Sequence, residues 1–170
     1  LALLLQDGRA DPTSNSNAAI LSASRDGYVN LVDLLLQDGR ADPNANFRGE
    51  TPLSLAIKHG HKDVFLRLLQ DERVNLREEK DDIIKIAIES DRIDIIDMLF
   101  GDFGLDPGLS DNEAIRWAAY NNKPSIVYLL LQDSRVNPGA KDNQAIRYAS
   151  KYGYYDVVAL LLQDDRVDPT

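Results

Sequence analysis

Cysteine is absent from all 170 residues, so disulfides and thiolate-held metals are excluded. Histidine is scarce: His59 and His61 stand two apart across a helix break, share no helical face, and lack a third or fourth donor for a metal. Positive charge is in deficit. Nineteen Lys and Arg face 28 Asp and Glu, a formal charge of −9 that repels phosphate backbones, so nucleic acid is not an expected partner. No window holds 18 uninterrupted apolar residues, which leaves nothing to span a membrane as a helix. Leu1-Ala2-Leu3-Leu4-Leu5 has no basic flank and reads as the end of a repeated helix rather than a signal core.

The groups that carry catalysis are missing as well. There is no glycine-rich phosphate loop, and Asp102, Asp106 and Asp111 lack EF-hand spacing. The paired acids Glu78-Glu79, Asp81-Asp82 and Asp164-Asp165 fall in turns or at helix starts, where a solvated face or a helix-dipole partner is their expected role. No nucleophile stands beside a base. The expectation is a protein with no catalytic residue, no metal ligand and no cofactor.

What the chain does contain is repetition. Leu34-Leu35-Leu36-Gln37-Asp38-Gly39-Arg40-Ala41-Asp42-Pro43 recurs in whole or in part at five other places, and the blocks end at Pro12, Pro43, Leu76, Pro107, Pro138 and Pro169. The steps are 31, 33, 31, 31 and 31 residues, a period that fits a helix-pair solenoid and not a leucine-rich repeat or a propeller blade. The array divides into a partial repeat, 1–12, and helix pairs at 13–43, 44–76, 77–107, 108–138 and 139–169. It begins without Met inside a repeat, which suggests an excised piece of a longer protein.

Within each repeat two helices are expected. The first centres on Ala23, Ala56, Ala87, Ala118 or Ala149 and stops at Gly27, Gly60, Asp91, Asn122 or Gly153, residues suited to a left-handed cap. The second carries a stripe such as Ile126-Val127 with Leu130-Leu131, at i, i+1, i+4 and i+5. Thr51-Pro52 marks a helix start, with Thr51 as N-cap. Asn30, Asp63, Asp94, Ser125 and Asp156 lie where an N-cap or first-turn acceptor belongs. Helices of about ten residues do not persist alone in water, so stacking must stabilise them.

These residues resemble the ankyrin repeat. The likeness rests on Gly49-Glu50-Thr51-Pro52-Leu53-Ser54-Leu55-Ala56, then Gly60-His61, Val64 and Leu68-Leu69, and extends over essentially the whole chain. It implies an all-α, ankyrin-like solenoid of stacked antiparallel helix pairs joined by short turns. The histidine usual after Thr-Pro-Leu is Ser54 here, and elsewhere Lys85, Arg116 or Arg147. Four repeats lose two residues in the polar turn, so their projecting fingers should be short. The Asp-x-Arg-Val-Asp-Pro exits resemble those in ankyrin arrays of large DNA viruses and of unicellular eukaryotes.

The resemblance implies a non-catalytic, monomeric, intracellular scaffold that binds another protein on its concave surface, in a host cell if the source is viral. A second reading is an adaptor segment of a larger protein, joined to a ubiquitin-ligase or kinase module. Partner contacts fall on the two residues after the small residue that follows the central alanine: Arg25-Asp26, Lys58-His59, Glu89-Ser90, Tyr120-Asn121 and Lys151-Tyr152. Phe47 and Arg48 join them at the one full-length turn. The expected site is therefore Phe47, Arg48, Lys58, His59, Glu89, Tyr120, Asn121, Lys151 and Tyr152. Trp117 and Tyr148 are expected in the core, and Arg9, Arg40, Arg73, Arg135 and Arg166 are expected to pair with Asp7, Asp38, Asp71, Asp133 and Asp164 as a charge ladder, broken at Phe103-Gly104.

Overall fold

Apolar residues spaced at helical period need a common surface to bury themselves, and among the described residues they find it in ten α-helices and no strand. The computed structural model describes residues 8, 10–74 and 76–167. The Leu1–Leu5 run, the Asp7–Arg9 pair and the final Asp168-Pro169 lie outside the described residues, as do the side chains of Glu78 and Glu79.

The chain divides into two compact halves, up to residue 86 and from residue 87 onward. The first contains α1 (Ser14–Asp26), α2 (Val29–Asp38), α3 (Pro52–His59), α4 (Lys62–Leu69) and most of α5 (Leu76–Glu89). There α1 packs on α3 and α2 on α4, so like helices layer on like. The second half contains the last turn of α5, then α6 (Ile93–Phe100), α7 (Leu109–Tyr120), α8 (Pro124–Leu131), α9 (Ala140–Tyr152) and α10 (Tyr155–Leu162). It repeats the scheme, with α7 on α9, α6 on α8 and α8 on α10. The helix pairs therefore stack as in an all-α solenoid.

Small residues set the spacing between the first helices. Ala23, Ala56, Ala87, Ala118 and Ala149 are each no more than 1% exposed. The expected left-handed stops are all present, at Gly27 (φ 78°), Gly60 (φ 79°), Asp91 (φ 58°), Asn122 (φ 54°) and Gly153 (φ 72°). Gly27 has a second reason to lack a side chain, because a Cβ there would lie 2.6 Å from the His61 ring. His61 Nε2–H donates to the Arg25 carbonyl at 2.8 Å, which ties the end of α1 to the next repeat. That bond accounts for the histidine structurally. Asp63, Asp94 and Asp156 sit in the first turns of their helices rather than at the caps, where they favour the positive end of the helix dipole.

The stripe of the second helices is narrower than the paired leucines suggest. Leu35, Leu68, Leu99, Leu130 and Leu161 are at most 1% exposed. Their following neighbours range from buried at Leu36 and Phe100 to half-buried at Leu69 and Leu131 and exposed at Leu162.

The shortened turns take an unexpected form. Asn15-Ser16-Asn17, Ser110-Asp111-Asn112 and Lys141-Asp142-Asn143 each place three consecutive residues in the left-handed region. Left-handed turns are costly for residues with a Cβ, and asparagine tolerates them best. The third position in each turn is Asn. At Asn17 and Asn112 the carboxamide oxygen also accepts an N–H from the exit of the same repeat, from Asp42 to Asn17 at 2.9 Å and from Asn137 to Asn112 at 2.6 Å. In α7 the Arg116 guanidinium donates to the Asp111 and Ser110 carbonyls at 3.0 and 3.1 Å, and Arg147 reaches the Asp142 carbonyl at 3.4 Å. Where the ankyrin histidine would stand, these arginines hold the turn instead.

The arginine ladder is more than paired charges. Arg73 grips both oxygens of Asp71 in its own repeat, and also donates to the carbonyls of Gly39 at 3.1 Å, Ala41 at 2.9 Å and Leu36 at 3.4 Å in the preceding one. Arg135 does the same to Phe100 and Leu105 at 3.2 and 3.3 Å, and Arg166 to Leu131 and Val136 at 3.0 and 2.8 Å. Last-turn carbonyls of a helix have no N–H donor within it. Each guanidinium thus caps the second helix of the repeat before it, while its own aspartate aims the fork. The acid of each arginine's own repeat pairs with it as expected, and the neighbouring repeat contributes carbonyls, acceptors that the sequence does not show.

Candidate interaction surface

The residues that vary between repeats lie at the ends of the first helices, and each half presents its own set. In the first half, Lys58 and His59 close α3 and both are exposed. Lys58 Nζ meets Glu50 at 2.9 Å, and the His59 ring lies parallel to His61 with centroids 6.5 Å apart. Arg25 and Asp26 pair with each other at 2.9 Å at the end of α1. Hydrogen bonding to Arg25 holds the Asp26 carboxyl below its usual range.

Phe47 and Arg48 form the one finger built as a hairpin among the described residues. Phe47 and Glu50 exchange backbone hydrogen bonds of 3.0 and 3.1 Å, with Arg48 (φ 57°) and Gly49 (φ 85°) at the tip. Two central residues with positive φ make a type I′ turn, which matches the twist of the flanking chain. The next helix starts immediately: Ser54 N–H donates to Thr51 Oγ1 at 3.2 Å, and Thr51 N–H donates to Ser54 Oγ at 2.8 Å. Ser54 therefore closes a capping box where the family's histidine would be. The Arg48 guanidinium lies 5.1 Å from the centre of the Phe47 ring, a cation–π distance.

In the second half the surface is aromatic. Tyr120, at the end of α7, stacks on Trp117 (5.6 Å) and meets Tyr148 (5.4 Å) and Tyr152 (5.7 Å) edge-on. Tyr152 in turn stacks on Tyr154 at 5.8 Å, and Lys151 Nζ sits 5.3 Å from the centre of the Tyr152 ring. Tyr120 is 40% exposed and Tyr152 is 45% exposed. Asn121 is half-buried and donates from Nδ2 to the Trp117 carbonyl at 2.8 Å, so its amide terminates the helix. Glu89 is exposed at the end of α5, apart from this ring cluster.

Trp117 and Tyr148 differ from the expected core placement. Both are half-buried, because the short left-handed turns in the first residues of α7 and α9 stand where a finger would cover them. They line a shallow recess of about 300 Å³ with Glu113, Arg116, Tyr120 and Gln144. Arg116 donates to Gln144, whose Nε2 donates to Tyr148 Oη at 2.9 Å. Sequence reasoning missed this network. The signal available was the shared Ala-Ile-Arg of α7 and α9, which puts Arg116 and Arg147 in the same register.

Among the described residues, no three His, Asp or Glu side chains converge as metal ligands, and no helix is long and apolar enough to cross a membrane. The arrangement can present area, ring faces and charge.

Stacked helix pairs with an invariant packed stripe and unequal exposed ends define a helical repeat protein that presents a surface. The ankyrin-repeat family model, written as three copies, matches residues 1–80, 20–111 and 84–170, and the chain belongs to that family. No curated protein matches the sequence. Ankyrin repeats are in general protein–protein interaction modules, and the family is in general non-enzymatic.

Proposed function

We propose that this chain is a non-catalytic scaffold that binds another protein through the ends of its first helices, with Tyr120 and Tyr152 at the centre of the contact in the second half. The observation that carries this reading is the exposed ring cluster, in which each tyrosine is already held by a neighbour. Rings fixed before binding lose little rotamer freedom on contact, and tyrosine offers a large area with a polar edge. Lys151 and Asn121 supply the polar rim that such a patch needs. In the first half the same register offers Lys58 and His59, with Phe47 and Arg48 at the finger, and in the second half it offers Glu89.

The test is comparative recovery of partners from cell extract by the parent protein and by a Tyr120→Ser/Tyr152→Ser variant whose circular dichroism matches the parent. A partner held by these rings should fall by about tenfold or more, as expected for buried aromatic anchors. Equal recovery on both would remove the tyrosines from the interface.

A further inference from the structure

The lengths of adjacent repeats create a second, independent feature in the first half. The 44–76 repeat carries the full-length hairpin finger, whereas the 13–43 repeat replaces its finger with the left-handed turn Asn15–Asn17. The face of the finger that looks toward α1 therefore has no finger beside it. Phe47 is 48% exposed and lines an open groove of about 500 Å³ together with residues of α1. Its floor is apolar, made by Ala18, Leu21 and Leu55, and its rim carries Arg25 and Glu50. Leu21 and Leu55 are buried together with Ala45 beneath the groove. A volume of this size holds one large aliphatic or aromatic side chain with room for its backbone.

The charges around the groove are mostly used. Arg25 is paired with Asp26, and Glu50 with Lys58. Arg48 is different. It occupies the hairpin tip at φ 57°, a conformation that disfavours any residue with a Cβ, and among the described residues its guanidinium makes a ring contact with Phe47 but no ion pair. This cation stands against Phe47, which lines the groove, and it favours a carboxylate at that one place, while the net charge of −9 disfavours carboxylates over the rest of the surface.

We infer that this groove binds an extended segment of a partner protein that carries one large apolar side chain and, two residues away, an aspartate or glutamate. The apolar side chain seats on Leu21 and Leu55 against Phe47, and the carboxylate meets Arg48. In an extended segment residues i and i+2 point the same way, which brings both groups to one face of the peptide. This deepens the proposed scaffold function by naming the chemistry of one ligand, and it concerns a surface separate from Tyr120 and Tyr152.

The experiment is an NMR titration of the isotope-labelled chain with a short acetylated and amidated peptide, Ser-Gly-Leu-Ser-Glu-Gly-Ser, and with versions carrying Leu→Ser or Glu→Lys. Dose-dependent shifts of the backbone amides around Leu21, Arg48, Gly49 and Leu55 are expected, and each peptide change should weaken them by about tenfold. The Arg48→Glu variant, altered only at an exposed tip, should lose the glutamate peptide and accept the lysine version. Loss of binding without that charge-swap rescue would overturn the pairing, and absence of shifts at the groove would overturn the site. Shifts confined to residues near Tyr120 and Tyr152 would also overturn the groove, while leaving the wider scaffold reading in place.

Discussion

Two buried serines show how much a hydroxyl's surroundings decide. Ser54 Oγ donates to the Thr51 carbonyl at 2.9 Å and accepts from the Thr51 amide, so its burial is compensated and it stabilises the start of α3. Ser24 Oγ is fully buried and has no hydrogen-bond partner among the described residues. The same register holds Ile57, Ile88 and Ala119 in later repeats, so an apolar side chain already fits there. A buried hydroxyl without a partner loses its water without replacement. Ser24→Ala is therefore expected to stabilise the chain by about 1 kcal/mol. Urea denaturation should show a higher midpoint at an unchanged slope. A lower midpoint would show that the hydroxyl is bonded after all.

At the scale of the helix, α8 offers three successive leucines that composition cannot tell apart. Leu130 is 1% exposed, whereas Leu129 and Leu131 are half-buried. Leu130 lies with Ile126 and Val127 on the face between α6 and α10, the two second helices that α8 packs against. Truncating it leaves a cavity that neighbouring helices on both sides cannot close. Leu130→Ala is expected to cost on the order of 2–5 kcal/mol, and Leu129→Ala less than half of that. Chemical denaturation of the two variants measures the difference directly; equal losses would mean that the stripe has been placed on the wrong face.

For the whole molecule, the fold was legible because the same physical demand recurs in each repeat. The central alanines, the left-handed stops and the Thr51-Pro52 start each follow from residue type and spacing alone. The left-handed turns were not legible, since Ser110-Asp111-Asn112 reads as an ordinary polar stretch until a deletion forces the chain to reverse in fewer residues. The carbonyl-capping role of Arg73, Arg135 and Arg166 was hidden for a related reason: the acid that aims each fork is local in sequence, while its acceptors lie 30 or more residues away. In the candidate surface, register picked out Tyr120 and Tyr152, but the exposure of Trp117 and Tyr148 depends on what neighbouring turns fail to cover. Helical periodicity carries no such information.

The ladder also sets how the molecule answers to acid. Hydrogen bonds from the partner arginines are the main cause holding the carboxyls of Asp38, Asp71, Asp133 and Asp164 below the ordinary carboxylate range. Because the folded values are the lower ones, the unfolded chain binds more protons in the window below about 3.8, and folding stability rises with pH across it. The contribution is complete above the unfolded value and is lost as pH falls through the folded values. Below a pI of about 4.6 the chain as a whole is positive, and its growing self-repulsion on further acidification destabilises it in the same direction, so the parent protein alone does not isolate the ladder. A variant with Asp71→Asn and Asp164→Asn does, since it keeps the fold's shape but removes two of the titrating acids. Compared with the parent, it should be less stable at about pH 7, with a shallower fall in urea midpoint below about pH 4. Parallel curves for the two proteins would show that the arginines hold the repeats through the carbonyls alone, with the aspartates contributing no differential stability.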